Sequence, residues 1–359
     1  MSLPSYEYRP LDSPSSIRIF ILQPSEDFSA PVEGSIIHRD RRALLRDFES
    51  VEHYEAVSYF WGDPDFSCAL FCDGRSSVMG ITPNVNSLLR YLRKTSKPRY
   101  LWVDAICVNQ KDNKERGHQV QLMGEIYRQA KKVHVWLGEA DEDVPKILVF
   151  LRALAGIGEK DISPALAEKE LMLTSNSDAK QSIIQFLARP WFERRWVVQE
   201  VALSHHTTIR CGQLKMARYW FTEGLKVLKR ATELGFLLCP KSIHTLENVA
   251  AFQTNTGEIL DILWRFHYTR CKDPKDKLFA LYGLAQDITT QREEDTFFDS
   301  FFAEMGVSSL VRPIYSVINY DGHWQDTYCQ FARDCIEAGY GNTILRHLAA
   351  FGSLAEQDP

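Results

Sequence analysis

The stretch from Tyr100 to Gly138, YLWVDAICVNQKDNKERGHQVQLMGEIYRQAKKVHVWLG, constrains the fold more than any other part of the chain. Leu101 to Val103 is a short apolar run closed by Asp104. Val120, Met123, Tyr127 and Ala130 then recur at helical spacing, and Val133, Val135 and Leu137 alternate as in a strand. Two strands of one sheet joined through a helix run parallel. In an open parallel sheet, ligands bind beyond the carboxyl ends of the strands, so Asp104 and the polar loop Asn109-Gln110-Lys111-Asp112 stand at a candidate ligand-facing edge.

Ahead of this unit the signals are mostly of strands. SIRIFIL (16–22) alternates, Val32 to His38 holds a second short run, and Tyr54 to Tyr59 a third, which leads into the turn Phe60-Trp61-Gly62-Asp63-Pro64. Cys68 to Met79 reads as a hairpin around Asp73-Gly74. Thr82-Pro83-Asn84 opens a helix with Val85, Leu88, Leu89 and Leu92 on one face, and the basic run from Lys94 to Arg99 suits its C-terminal end. Beyond the unit, Val144 to Leu154 is an apolar helix and Gly156 to Asp178 a polar insertion. SIIQFLAR is helical up to Pro190, a further helix carries Trp191 through Glu200, and Thr207 to Cys211 is a strand. From Gly212 onward the chain reads as mainly helical, over Tyr219 to Leu228, Ile259 to Phe266, Lys275 to Leu284 and Trp324 to Ile336. A second insertion, from Gln286 to Val311, carries FFDSFF.

Composition removes several classes of function. A net charge of -5 over 359 residues points away from nucleic acid and anionic membrane as partners, which usually leave a basic excess. The eight cysteines are scattered without CxxC spacing, as reduced thiols would be. No apolar run approaches membrane-spanning length and MSLPSYEYRPLD lacks the features of a signal peptide, so the expected location is cytoplasmic. GxGxxG after a strand, GxxxxGK[ST], HExxH and GxSxG are all missing. His205 and His206 are adjacent, point in different directions and make poor joint ligands, so no metal site is expected.

Three positions carry both a chemical and a structural reading. Trp196 and Glu200 share one face of the expected helix, which sets a carboxylate beside an indole. Partial desolvation would raise its pKa and suit it to act as a base or to steady a developing cation; alternatively Glu200 pairs with Arg194 or Arg195 and ties the helix down. Asp104 either faces a ligand or caps the following loop by accepting backbone N–H bonds. Trp61 either stacks on a ligand or plugs the sheet edge, with Gly62 serving the turn.

Four blocks, YEAVSYFWGD (54–63), ITPNVNSLLRYLR (81–93), the Tyr100–Gly138 unit and RPWFERRWVVQEVAL (189–203), closely resemble those of the fungal HET, or heterokaryon incompatibility, domain. The resemblance covers about 54–212, and CKDPKDKLFALYGLA (271–285) and VINYDGHWQDTYCQFARD (317–334) look like segments that commonly follow that domain. It implies a fungal protein of programmed cell death triggered when unlike cells fuse, with residues 1–53 as a β-rich segment packing on the core domain, 54–212 as the HET domain and 213–359 as a mainly helical region.

The HET pattern is in turn similar to that of TIR domains, which implies an α/β fold with a TIR- or flavodoxin-like parallel sheet flanked by helices. N-terminal β additions and a helical C-terminal region complete it. Trp196-Val197-Val198-Gln199-Glu200 resembles the WxxxE of TIR enzymes, whose Glu is catalytic in cleaving NAD to nicotinamide and ADP-ribose. The resemblance therefore implies a hydrolase, an NADase, with Glu200 catalytic. Ser58, Trp61, Gly62, Asp104, Asn109, Gln110 and Trp196 would bind substrate; NAD is that substrate, no separate cofactor is called for, and self-association and an incompatibility partner protein are expected. The competing readings are a non-catalytic TIR-like interaction module that assembles a cell-death complex and a nucleotide sensor that binds without turnover.

Overall fold

Nine strands form one sheet: β1 (Ser16–Leu22), β2 (Val32–Asp40), β3 (Glu55–Tyr59), β4 (Cys68–Cys72), β5 (Ser77–Ile81), β6 (Arg99–Trp102), β7 (Lys132–Trp136), β8 (Thr207–Cys211) and β9 (Leu214–Ala217). Their spatial order is β5-β4-β2-β1-β6-β3-β7-β8-β9. The computed structural model describes residues 3–44, 53–157, 177–233, 248, 257–289 and 313–351. Most of the two expected insertions, 158–176 and 290–312, lies outside the described residues.

β6, β3, β7 and β8 are parallel to one another, and β3 and β7 are buried along nearly their whole length, as strands covered on both faces are. In order of entry these four strands lie 2-1-3-4. The chain leaves β3 for β6 on one side, then crosses back over to β7 and β8 on the other. That reversal leaves a crevice at the carboxyl ends of the strands, where open α/β sheets take their ligands.

The sheet as a whole is mixed. β1 pairs antiparallel with β6, and β2 pairs antiparallel with β1 and parallel with β4, so the N-terminal strands extend the central sheet. β9 pairs antiparallel with β8, which carries the sheet past residue 212. The β4–β5 turn runs through Asp73, Gly74 and Arg75, all with positive φ, a conformation that the Asp-Gly pair favours.

Helices α1 (Pro83–Leu92), α2 (Asn113–Gln129), α3 (Val144–Ile157), α4 (Ser177–Leu187), α5 (Trp196–Ala202) and α6 (Arg218–Glu233) accompany the sheet. Thr82 caps α1 by accepting from the Val85 N–H at 3.3 Å, and Pro83 occupies its first turn. Asp112 caps α2 by accepting from the N–H groups of Lys114 and Glu115 at 3.0 and 3.1 Å. The C-terminal part supplies α7 (Ile259–Arg265), α8 (Asp276–Tyr282), α9 (Trp324–Glu337), α10 (Gly341–Phe351) and a parallel pair of two-residue strands, β10 (Ile288–Thr289) and β11 (Ile314–Tyr315).

The tightest helix contact is between α3 and α6. Gly224 of α6 lies against the backbone of Leu151, and a Cβ there would stand 2.2 Å from the Leu151 carbonyl oxygen. Gly224→Ala should therefore destabilise the fold by ~2 kcal/mol, even though alanine in a helix interior gains roughly 1 kcal/mol over glycine. A denaturant midpoint at or above the wild-type value would contradict the close approach.

Candidate functional site

β3 and β6 end side by side, and the residues that follow them meet. The Trp61 indole N–H donates to Asp104 Oδ2 at 2.7 Å. Asp104 Oδ1 accepts from its neighbour's backbone, Ala105 N–H, at 2.8 Å, so this one carboxylate bonds within the turn Asp104–Cys107 and also reaches across to the β3 loop. Gln110 Nε2 donates to the Asp104 carbonyl at 3.0 Å. Trp61, Asp104 and Gln110 thus share one edge. Trp61 is half-buried against the core, and Gly62, exposed with a φ of +77°, serves the turn.

Asn109 is turned another way. Its Oδ1 accepts from the Lys111 N–H at 3.3 Å and its own N–H donates to Glu115 at 2.7 Å. It borders an open depression of about 540 Å³ with Tyr8, Asp12, Glu115 and His118, a separate feature from the Trp61–Asp104 pair. Among the described residues no group of three or more His, Cys, Asp or Glu side chains is arranged to hold a metal.

The helix expected from Trp191 to Glu200 is not continuous. Pro190–Glu193 is a 3-10 turn, Arg194 is extended, and α5 begins only at Trp196. The break has a cause in the C-terminal region. Arg270 N–H donates to the Glu193 carbonyl at 2.6 Å and Arg195 N–H to the Arg270 carbonyl at 2.7 Å, which takes up backbone groups a helix would have used internally. The two arginines then diverge. Arg195, buried, donates to the Phe266 carbonyl and Thr269 Oγ1 at 2.7 and 2.8 Å.

Arg194 turns back over the sheet edge. Its Nη1 donates to the Tyr59 carbonyl at 2.6 Å and to Glu200 Oε1 at 3.4 Å, and its Nη2 lies 3.6 Å from Asp104 Oδ2. One guanidinium therefore joins the end of β3, the end of β6 and α5. Of the two partners open to Glu200, the structure selects Arg194.

Glu200 is 0% exposed, and its Oε2 has no hydrogen-bond partner among the described residues. Burial pushes its pKa up to about 7, against the pull of Arg194 and Ser58, with Asp104 adding to the rise. Ser58, equally enclosed, accepts from the Trp191 indole N–H at 2.9 Å, which leaves its own proton free to turn toward Glu200. Tyr59 is also buried, and burial together with the nearby Asp104 raises its hydroxyl well above the usual range.

Trp196 shares α5 with Glu200 but serves a different carboxylate, Asp276 at the start of α8. Burial raises the Asp276 pKa, while donors from Tyr320 and Trp196 lower it; Tyr320 Oη donates at 2.6 Å. The guanidinium of Arg116 stands over the Tyr320 ring at 4.2 Å from its centroid. Gln199, between the two, ties α5 to its neighbours: with its amide oriented to satisfy both ends, it donates to the Ala280 carbonyl at 3.0 Å and accepts from the Gly124 N–H at 2.9 Å. Trp191, Tyr59, Asp276 and Tyr320 were not read as site residues from the sequence, where Trp191 signals only a buried aromatic and Asp276 only a helix start.

Residues 54–200 match the family model described as Heterokaryon incompatibility protein (HET), a span that begins just before β3 and ends at Glu200. The chain is also 29% identical, over 247 residues, to the Heterokaryon incompatibility protein 6, OR allele, of Neurospora crassa. That alignment covers 58% of this chain and 35% of the relative, so the chain spans about a third of the length of the curated relative it matches. No solved structure matches significantly. The similarity to the HET family therefore spans the parallel strands from β3 through β7 and the segment that carries Arg194 and Glu200.

The enclosure of Glu200 has a measurable consequence. A carboxyl whose folded pKa is about 7, above its usual 4.5, favours folding most below pH 4.5, where both states are protonated. That contribution is lost as pH rises from 4.5 through 7, because the unfolded chain ionises first. Glu200→Gln should remove this slope, so its stability relative to wild type should rise by about 3 kcal/mol between pH 4.5 and pH 7.5. Parallel pH profiles for the two proteins would refute the assignment.

Proposed function

We propose that this chain acts in the cell-death reaction of heterokaryon incompatibility by cleaving NAD to nicotinamide and ADP-ribose, with Glu200 as the catalytic carboxylate. The observation that carries the reading is a carboxylate enclosed beside the carboxyl ends of parallel strands, with one oxygen unpartnered among the described residues. The 2-1-3-4 strand order accords with a TIR- or flavodoxin-like fold. Ser58, Trp61, Gly62, Asp104 and Gln110 are proposed to contact the substrate, Asn109 and Trp196 being turned to other partners, and the reaction is proposed to run in the cytoplasm in a self-associated form.

A single carboxylate is enough for this chemistry. Cleaving most glycosides needs a general acid for the leaving group, but the nicotinamide of NAD is a pyridinium that departs as a neutral base. What remains is to stabilise an oxocarbenium-like transition state, and an ionised Glu200 held by Ser58 and Arg194 would do this electrostatically. Glu200 has no solvent exposure, so the ribose reaches it only if Arg194 moves off the carboxylate. In the proposed cycle, self-association drives that displacement.

The same enclosure favours a second reading, in which the chain is a non-catalytic module that assembles a death complex and the closed Glu200–Arg194–Asp104 network holds the docking surface rigid. Glu200→Gln separates the two. If Glu200 is catalytic, nicotinamide release should fall by two or more orders of magnitude, about 2.7 kcal/mol or more, in a protein that remains folded. Cleavage at the wild-type rate by a folded Glu200→Gln protein would eliminate the mechanism. Toxicity in expressing cells that persists without any NAD cleavage would select the docking reading.

A further inference from the structure

A second cluster of charges lies on one face of the same sheet, away from Glu200. Side chains alternate along a strand, and the register sets Glu55 of β3 beside Lys132 of β7 and Arg210 of β8 beside Lys215 of β9. Arg99 of β6, two residues before the partner of Glu55, falls on the same face. The pairing is tight at the centre. His134 Nε2 lies 2.8 Å from Glu55 Oε2, and Arg99 Nε lies 3.5 Å from the same oxygen. Arg210 Nε donates to His134 Nδ1 at 3.1 Å.

That last bond fixes the proton on His134. With Nδ1 accepting from an arginine, the ring is neutral and Nε2–H donates to Glu55, in keeping with the burial that pushes its pKa down to about 4. Among the described residues, Glu55 is then the one carboxylate set against Arg99, Arg210, Lys132 and Lys215, with Lys94 at the end of α1 also acting on it. No ion pair to Lys94, Lys132 or Lys215 is formed among the described residues. Lys215, exposed, has its pKa lowered first by Arg210, then by burial, then by Arg99 and Lys132. Arg99 has two donors, Nε and Nη1, buried without a hydrogen bond. Such an excess of charge and unmet donors costs stability unless an anion relieves it.

We propose that this face is a binding site for a small, multiply phosphorylated anion, gripped by Arg99, Lys132 and Lys215 with Lys94 at its rim. A guanidinium fork and ammonium groups are the usual recognition elements for phosphate oxygens. Arg99 forfeits only a 3.5 Å contact when it turns to meet the ligand. The cations run from β6 to β9, four inter-strand steps of about 4.8 Å each. A span near ~19 Å suits a chain or ring bearing several phosphates better than a single phosphate. Nucleotide polyphosphates and inositol polyphosphates share this chemistry. The site is independent of any reaction at Glu200, whose neighbour Ser58 points to the opposite face of β3 from Glu55.

Titration calorimetry on the full chain tests the proposal, with inorganic triphosphate, ATP and inositol hexakisphosphate as probes at near-physiological salt. One site per chain is expected for at least one probe. Equal affinity for triphosphate and ATP would identify the phosphate chain as the recognised group, and preference for inositol hexakisphosphate would identify the ring source. The double substitution Lys94→Glu with Lys215→Glu, both at exposed positions, should weaken binding about tenfold or more, whereas Lys146→Glu, exposed on α3, should leave it unchanged. Absence of binding by all three probes, or an equal loss in the Lys146→Glu control, would overturn the site. Tight binding of a single-stranded oligonucleotide with no small polyphosphate bound would overturn it in favour of a nucleic-acid surface.

Discussion

Arg194 is the contact on which the arrangement of the candidate site depends. Its guanidinium meets the Tyr59 carbonyl at the end of β3, Asp104 after β6 and Glu200 on α5. Two carboxylates that would otherwise repel are held near one cation, and removal of that cation would leave a buried charge without compensation. Arg194 can reach all three because the chain is extended at that residue, and it is extended because Glu193 and Arg195 pair with Arg270. The geometry of the site therefore rests on a strand-like contact with a segment well beyond it in sequence.

The C-terminal region is welded to this contact. Lys275, 3% exposed, donates to the carbonyls of Asn319, Asp321 and Gly322 at 3.2, 2.7 and 3.0 Å, which fixes the turn that carries Tyr320 to Asp276. Asp276 in turn takes the Trp196 indole. On the β1 side of the same sheet edge, Arg18 plays a comparable part. Wholly buried, it donates to both oxygens of Glu115 at 2.5 and 2.9 Å and to the carbonyls of Cys107 and Arg9, so β1 is locked to the loop that follows Asp104. Bidentate arginine pairs of this kind fix geometry as well as contribute energy.

Two glutamates on the same framework show how environment divides one chemistry. Glu55 is partly buried, but the His134 donor and the Arg99 charge outweigh burial and hold its carboxyl down to about 2. Glu200 has an arginine at a similar distance but no histidine donor, and it is completely enclosed, so burial wins and raises it to about 7. The first is ionised at any pH at which the protein works. The second changes charge near neutrality, which is the property expected of a group whose partner must be exchangeable.

The parallel unit, the helix start at Thr82, the Asp73-Gly74 hairpin and the position of Asp104 at a strand end were all legible in the sequence, because hydrophobic period and turn chemistry act over a few residues. So was the choice facing Glu200, since Arg194 and Arg195 stand within two turns of it. Tertiary structure decided between them: Arg195 was drawn to Phe266 and Thr269, and Arg194 was left for Glu200. It also broke the helix that the Trp191–Glu200 pattern implied, joined the N-terminal strands to the central sheet, and gave the Trp196 indole to Asp276. Each of these turns on partners far apart in the chain, whose competing hydrogen bonds and burial no local pattern records.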